Sequence, residues 1–216
     1  EINENLFIIN SIEEISAKLD AASTLAEIED IYRPFRPKRK TRASVAREKG
    51  LEPLADAIFE QAADSASPLE MAAAFINEEK GVATAEDALK GALDIIAEMV
   101  ADDPEITKDV REKTFASGII QTEATDPEEK TVYEMYYDRA EALNKIPNHR
   151  VLAVNRGEKE KKLKVKVTVN TEEIHALIAK SVIKTEKSIF FTHLQDTIAD
   201  AYKRLMAPSL EREMRN

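Results

Sequence analysis

Cysteine is absent from this chain, which excludes disulfides, zinc ribbons and thiol catalysis and fits a reducing compartment. Glycine is scarce, five in 216 residues, so little is available to cradle a phosphate. No P-loop, G-x-G-x-x-G or G-x-S-x-G pattern occurs. No apolar run approaches the ~20 residues that span a bilayer, and no signal-peptide pattern opens the chain. A cytoplasmic protein with no membrane partner is therefore expected. The three histidines, His149, His175 and His193, sit on unlike elements without H-x-x-x-H spacing, and read as ordinary polar or partly buried side chains. Acidic pairs such as Asp102/Asp103 and Glu172/Glu173 fall at helix ends, where capping and dipole compensation account for acids in a first turn. No cofactor, no metal and no catalytic residue is expected, and the chain does not read as an enzyme.

What is present favours helix. The chain is 43% hydrophobic and 33% charged, with a net charge of −10. Ser11 to Ala22 reads as an amphipathic helix with a Ser11/Glu14 capping box, and Thr24 with Glu27 repeats the signature for a second. Glu52 and Pro53 open a third, Ser67 and Pro68 a short one through Ile76. Thr84 caps the strongest pattern, Ala85 to Ala101, whose apolar positions recur every three to four residues as in a core helix. Another helix, Pro104 to Ala116, ends at Gly118.

From there the pattern changes. Ile119 to Thr122 and Val151 to Val154 (VLAV) read as strands, Asn155 to Lys161 as a turn around Gly157. Leu163, Val165, Val167 and Val169 alternate with Lys162, Lys164, Lys166 and Thr168, a strand with one wet basic face. That lysine face is either a charged edge strand or a secondary phosphate-contacting surface. Tyr133, Tyr136 and Tyr137 either pack one face of a short helix or stack on bases. Helices resume at Thr171, read as an N-cap, and the last long one carries Phe190, Leu194, Ile198, Ala201 and Leu205 until Pro208 breaks it. The fold class is mainly α, a multi-helix scaffold with a small antiparallel sheet inserted: 1–117 helical, 118–170 the β insertion, 171–216 the completing helices. The chain opens on Glu1 and ends in helical SLEREMRN, so a piece of a longer protein is expected. Leu205, Leu210 and Met214 are expected to have lost partners and to favour self-association.

One stretch runs against the acidic background. From Arg33 to Lys49 the cations Arg33, Arg36, Lys38, Arg39, Lys40, Arg42, Arg47 and Lys49 face one acid, Glu48. Pro34 and Pro37 hold its first part extended, Thr41 is placed to cap a helix from Arg42 to Lys49, and Gly50 to stop it in the left-handed conformation. Crowded cations require acids or phosphates nearby. The stretch is either an internal clamp of arginines on neighbouring acids or a phosphate-binding patch with steep salt dependence.

The segment IYRPFRPKRKTRASVAREKGLEPLA, Ile31 to Ala55, resembles a motif of the Tex family, bacterial transcription accessory proteins related to a eukaryotic elongation factor. A second match is IPNHRVLAVNRGE, Ile146 to Glu158, followed by the segment ending RLMAPSLEREMRN. The resemblance implies part of a helical central region that stops just before an RNase H-like YqgF domain. It also implies helix-hairpin-helix elements and a C-terminal OB-fold that binds RNA, elsewhere in the parent protein. Family members bind nucleic acid and are tied to transcription, without an established enzymatic activity. The expected partners are RNA or DNA in the full-length protein and the transcription machinery. The first reading is a scaffold that positions those modules or offers a surface to polymerase; the alternative is direct phosphate contact through residues 33–49.

Overall fold

The apolar stripe from Ala88 to Ala101 lies on a single 18-residue helix, and the other helices are arranged around it. The structure, a computed structural model, describes residues 15–32, 40–61 and 66–216. Its helices are α1 (residues 15–21), α2 (Leu25–Tyr32), α3 (Arg42–Glu48), α4 (Glu52–Glu60), α5 (Pro68–Ala73), α6 (Ala85–Asp102), α7 (Pro104–Ser117), α8 (Asn148–Lys159), α9 (Thr171–Val182), α10 (Phe191–Asp200) and α11 (Ala207–Met214). The expected mainly α class with a small antiparallel sheet is what the chain adopts. The Ser11/Glu14 capping box lies outside the described residues.

Helix α6 is the hub. Ala88, Ala92, Ile95 and Ile96 are fully buried, and α3, α4, α5, α7 and α10 all pack on it. Fully burying one large aliphatic side chain is worth about 1.5–3 kcal/mol. Leu54 and Ile58 of α4, Ile174 and Ile178 of α9, and Leu194 and Ile198 of α10 complete this core. The starts obey the capping rules. Thr84 Oγ1 accepts from the Asp87 N–H at 3.1 Å, Asp103 Oδ1 from Glu105 and Ile106 at 2.9 and 3.0 Å, and Thr24 Oγ1 from Glu27 at 3.3 Å. Helix α9 is capped by Asn170 rather than Thr171: the Asn170 Oδ1 accepts from both the Glu172 and Glu173 N–H groups.

A second, smaller core gathers Ile120, Tyr133, Tyr136, Leu143, Val154 and Leu163. Its sheet has strand order β2-β1-β3, with β1 (Ile119–Ala124) paired antiparallel to β2 (Asp138–Ala142) and β3 (Leu163–Thr168). VLAV is not a strand: it lies inside α8, which starts after extended Pro147 and runs to Lys159. Its four residues are apolar, but only Val154 is buried while Leu152 is 68% exposed, a helical distribution. Gly157 is no turn either. A Cβ there would sit 2.6 Å from Leu163 Cδ1, so its bare backbone lets α8 approach β3. The chain reverses instead at Lys161, in the left-handed region with φ 59°.

Pro208 does not end the last helix. Residues Ala201–Met206 form a π-helical turn in which the Ala207 N–H reaches the Tyr202 carbonyl, and α11 continues with the proline in its first turn. The expected loss of partners at the C-terminal apolar residues is likewise overturned. Leu210 is buried in the main core, Leu205 packs against that core, and Met214 packs against the small one.

Gly91 of α6 is where α3 and α4 come closest to the hub: a Cβ at this position would fall 2.4 Å from Leu51 Cδ1. Leu51 is 1% exposed and has no room to yield. Gly91→Val is expected to cost about 2–3 kcal/mol in urea unfolding through overpacking.

Candidate nucleic-acid interface

The basic stretch divides into side chains that turn inward and side chains that stay wet. Arg33, Arg36, Lys38 and Arg39 lie outside the described residues. Thr41 caps α3 in a reciprocal box with Ser44: its Oγ1 accepts from the Ser44 N–H at 3.0 Å, and Ser44 Oγ accepts from the Thr41 N–H at 2.8 Å. Ala43 and Ala46 then face α6 and are buried. Gly50, with φ 81°, closes the helix and delivers Leu51 to the core.

Arg47 points the same way. Its Nη1 donates to Glu98 Oε1 at 2.7 Å and its Nε to Glu52 Oε1 at 3.3 Å. Glu98 belongs to α6 and is only 8% exposed; its other oxygen accepts from the Thr41 hydroxyl at 2.9 Å. Burial alone lowers the Arg47 pKa, but the hydrogen bond and charge of Glu98, then those of Glu52, outweigh it and hold the guanidinium above its usual range. Lys49 donates to the Gly81 carbonyl at 2.9 Å. Arg47 and Lys49 thus fasten the motif to α6 and to the loop before it.

Lys40 and Arg42 are exposed. Lys40 lies 3.5 Å from Glu48, both side chains being largely solvated. Together with Lys49, they line a cleft of about 600 Å³ whose far wall is α6, and that wall adds Lys90 along with Asp87 and Asp94. Lys90 was invisible as a site residue in the sequence, where it is one more lysine on the solvated side of an amphipathic helix. Beyond the cleft, Arg204 binds Asp200 at 2.7 Å and lies 3.6 Å from Asp94. Burial raises the Asp94 carboxyl pKa, against the pull of Arg204 and Arg42.

Most of the other candidates have partners within the fold. Lys162, Lys164 and Lys166 lie on or beside edge strand β3, where Lys162 pairs with Glu129 and Lys166 with Glu123 at 3.4 Å. Tyr133 and Tyr136 are buried under the sheet, and the Tyr137 hydroxyl bonds Thr131 at 2.8 Å. His175 meets Tyr202 edge-on and His193 meets Phe190 likewise. Among the described residues, no group of side chains could hold a metal ion, and no helix is long and apolar enough to cross a membrane.

A family model described as Tex central region-like matches residues 63–216. The chain is 46% identical over 204 residues to the Bacillus subtilis protein YdcI, covering 93% of this chain and 28% of that one. It is 36% identical over 163 residues to the transcriptional accessory protein Tex of Neisseria gonorrhoeae, covering 71% and 21%. Over 207 residues it is 27% identical to the human S1 RNA-binding domain-containing protein 1, covering 89% and 20%. The chain therefore spans between a fifth and three tenths of the length of these relatives.

Glu98 carries the clamp, so its loss is felt by two partners at once. Glu98→Ala is expected to lower unfolding free energy by about 2–3 kcal/mol, because the half-buried Arg47 loses its shortest bond and the Thr41 hydroxyl its acceptor. Glu98→Gln, which keeps an acceptor oxygen, should cost less in the same denaturation experiment.

Proposed function

The chain belongs to the Tex family through its central region, and from that premise we propose that it is the helical scaffold of a cytoplasmic, nucleic-acid-binding transcription accessory protein. In this reading it holds RNA- or DNA-binding modules of the longer protein in fixed relation and presents a helical surface to the transcription machinery. The names of these relatives, a transcriptional accessory protein and an S1 RNA-binding domain-containing protein, support the nucleic-acid and transcription side of the proposal.

The observation that carries the scaffold role is the way arginines join distant elements. Arg111 of α7 pairs with buried Asp30 of α2 and lies 2.6 Å from Glu213 of α11, so one guanidinium links helices from both ends of the described chain. Burial alone would lower its pKa, but Asp30 and then Glu213 outweigh that and raise it, so it stays charged. Arg215 does the same between the two cores: from the end of α11 it binds Glu158 of α8, with Nε donating to Asn155 Oδ1 at 3.0 Å. The planar guanidinium fork meets several acceptors at fixed angles, which suits a part whose role is geometric.

Direct phosphate contact is the second reading, favoured by the solvated Lys40 and Arg42. A catalytic role has no place in either, and nuclease or nucleotide hydrolysis by the purified chain would overturn that part.

Arg111→Ala removes the guanidinium that pairs with buried Asp30. Breaking such a pair costs about 3 kcal/mol, or roughly 6–10 °C in melting temperature for a chain of this size. Well below that melting point, affinity for RNA and duplex DNA should be unchanged. An unaltered melting temperature, or a loss of affinity in the still-folded variant, would count against the scaffold.

A further inference from the structure

The cleft between α3 and α6 collects cations that are far apart in the chain. Lys40, Arg42 and Lys49 come from the basic stretch, and Lys90 faces them from α6. The packing that buries Ala43 and Ala46, and that seats Leu51 against Gly91, is what brings the two sides together. Four cations against Asp87 and Asp94 make this a locally positive site in a chain of net charge −10. Overall repulsion acts on any polyanion that approaches, so attraction has to come from such a local concentration.

The commitments of the four cations decide what the cleft can take. Lys49 is held by the Gly81 carbonyl and serves the wall. Lys40 has only a long, solvated pair with Glu48, an interaction worth little and readily exchanged. Arg42 feels the charges of Asp94 and Asp200, but Arg204 already binds Asp200 and lies near Asp94. Lys90 is exposed. Three wet cations spread along an open cleft do not make the enclosed, donor-saturated pocket that a small anion needs. They do suit successive phosphates of a polymer, each contact exchanging a condensed counterion for a side chain. Among the described residues, no aromatic side chain lines the cleft as a stacking platform for bases.

We propose that this cleft is a phosphodiester-backbone contact site, in which Lys40, Arg42 and Lys90 each meet a phosphate and Lys49 fixes the wall. The site binds through backbone charge, without reading base sequence. It rests on the second reading above, deepens it by bringing Lys90 and the cleft into the site, and fails separately from the scaffold role, since neither Arg47 nor Arg111 lines the cleft.

The test is fluorescence anisotropy of the 216-residue chain with labelled single-stranded RNA and with duplex DNA, titrated between about 50 and 200 mM salt. Variants are Lys40→Gln, Arg42→Gln and Lys90→Gln, singly and together. Each lost contact should flatten the log–log salt slope by about 0.7 on the single strand or about 0.9 on the duplex, so the triple variant loses about 2 or about 2.7. The probe that the parent chain binds more tightly at the same salt identifies the preferred form. Melting temperature should not move, because all three side chains are solvated, and Lys90→Arg should retain the parent slope. A triple variant with the parent slope, or a folded parent that binds neither probe at the lowest salt, would overturn the proposal. Displacement of the RNA by inorganic tripolyphosphate at matched ionic strength would also overturn it, in favour of a small-anion site.

Discussion

A carboxylate buried on the central helix sets the terms for the whole basic stretch. Glu98 is on the same helix as the fully buried Ile95 and Ile96, where an ionised group without partners would be expensive. Arg47 and Thr41 supply those partners, and both come from the motif. The arrangement places α3 against α6 in a definite register: the capping threonine above, the arginine one helical turn and a half below, and small alanines between. Gly91 and Leu51 complete the contact about two turns away along the hub. The chemistry of one acid thus explains why a strongly cationic segment is accepted beside an apolar core.

Arginine and lysine then divide the work of positive charge. The guanidiniums of Arg47, Arg111, Arg204 and Arg215 lie at joints between elements, each with two acidic partners. Several lysines stay at the rim: Lys40 and Lys90 at the cleft, Lys164 and Lys166 along the sheet edge. A planar fork loses little by being fixed between carboxylates, whereas an ammonium on a long flexible stem is better hydrated. Arg156 and Arg42 are exposed arginines outside this set, Arg42 on the first turn of α3. The neighbourhood of Arg42 explains that position: the acids closest to it are already engaged by Arg204.

Much of the helical architecture was legible because its signals are local. Thr41, Ser67, Thr84 and Asp103 are side chains whose oxygen reaches an N–H two or three residues on, and Gly50 is a residue whose missing Cβ permits the left-handed stop. The α6 stripe was legible for the same reason, being a period written into consecutive residues. VLAV was misread because four apolar residues carry no period. Only the position of the small core shows that Val154 is covered and Leu152 is not. Pro208 was misread because a proline stops an α-helix when the i−4 bonding pattern continues into it. The π turn at Ala201–Met206 changes that pattern just before the ring.

The candidate interface was half legible. Composition located the cationic run and offered two roles for it, clamp and phosphate contact. Nothing in the run itself distinguishes Arg47 from Arg42, since the difference lies in which acids other helices bring within reach. Lys90 makes the same point from the other side, joining Lys40 and Arg42 only because α3 rests on α6.

By itself, the sequence determined most of the helices and caps, the basic strand and the family motifs, since each depends on neighbours along the chain. The tertiary structure alone decided which cations are consumed by Glu98, Asp30 and Glu158, and which are left facing water. That choice depends on distances between residues tens of positions apart, and no local spacing encodes it.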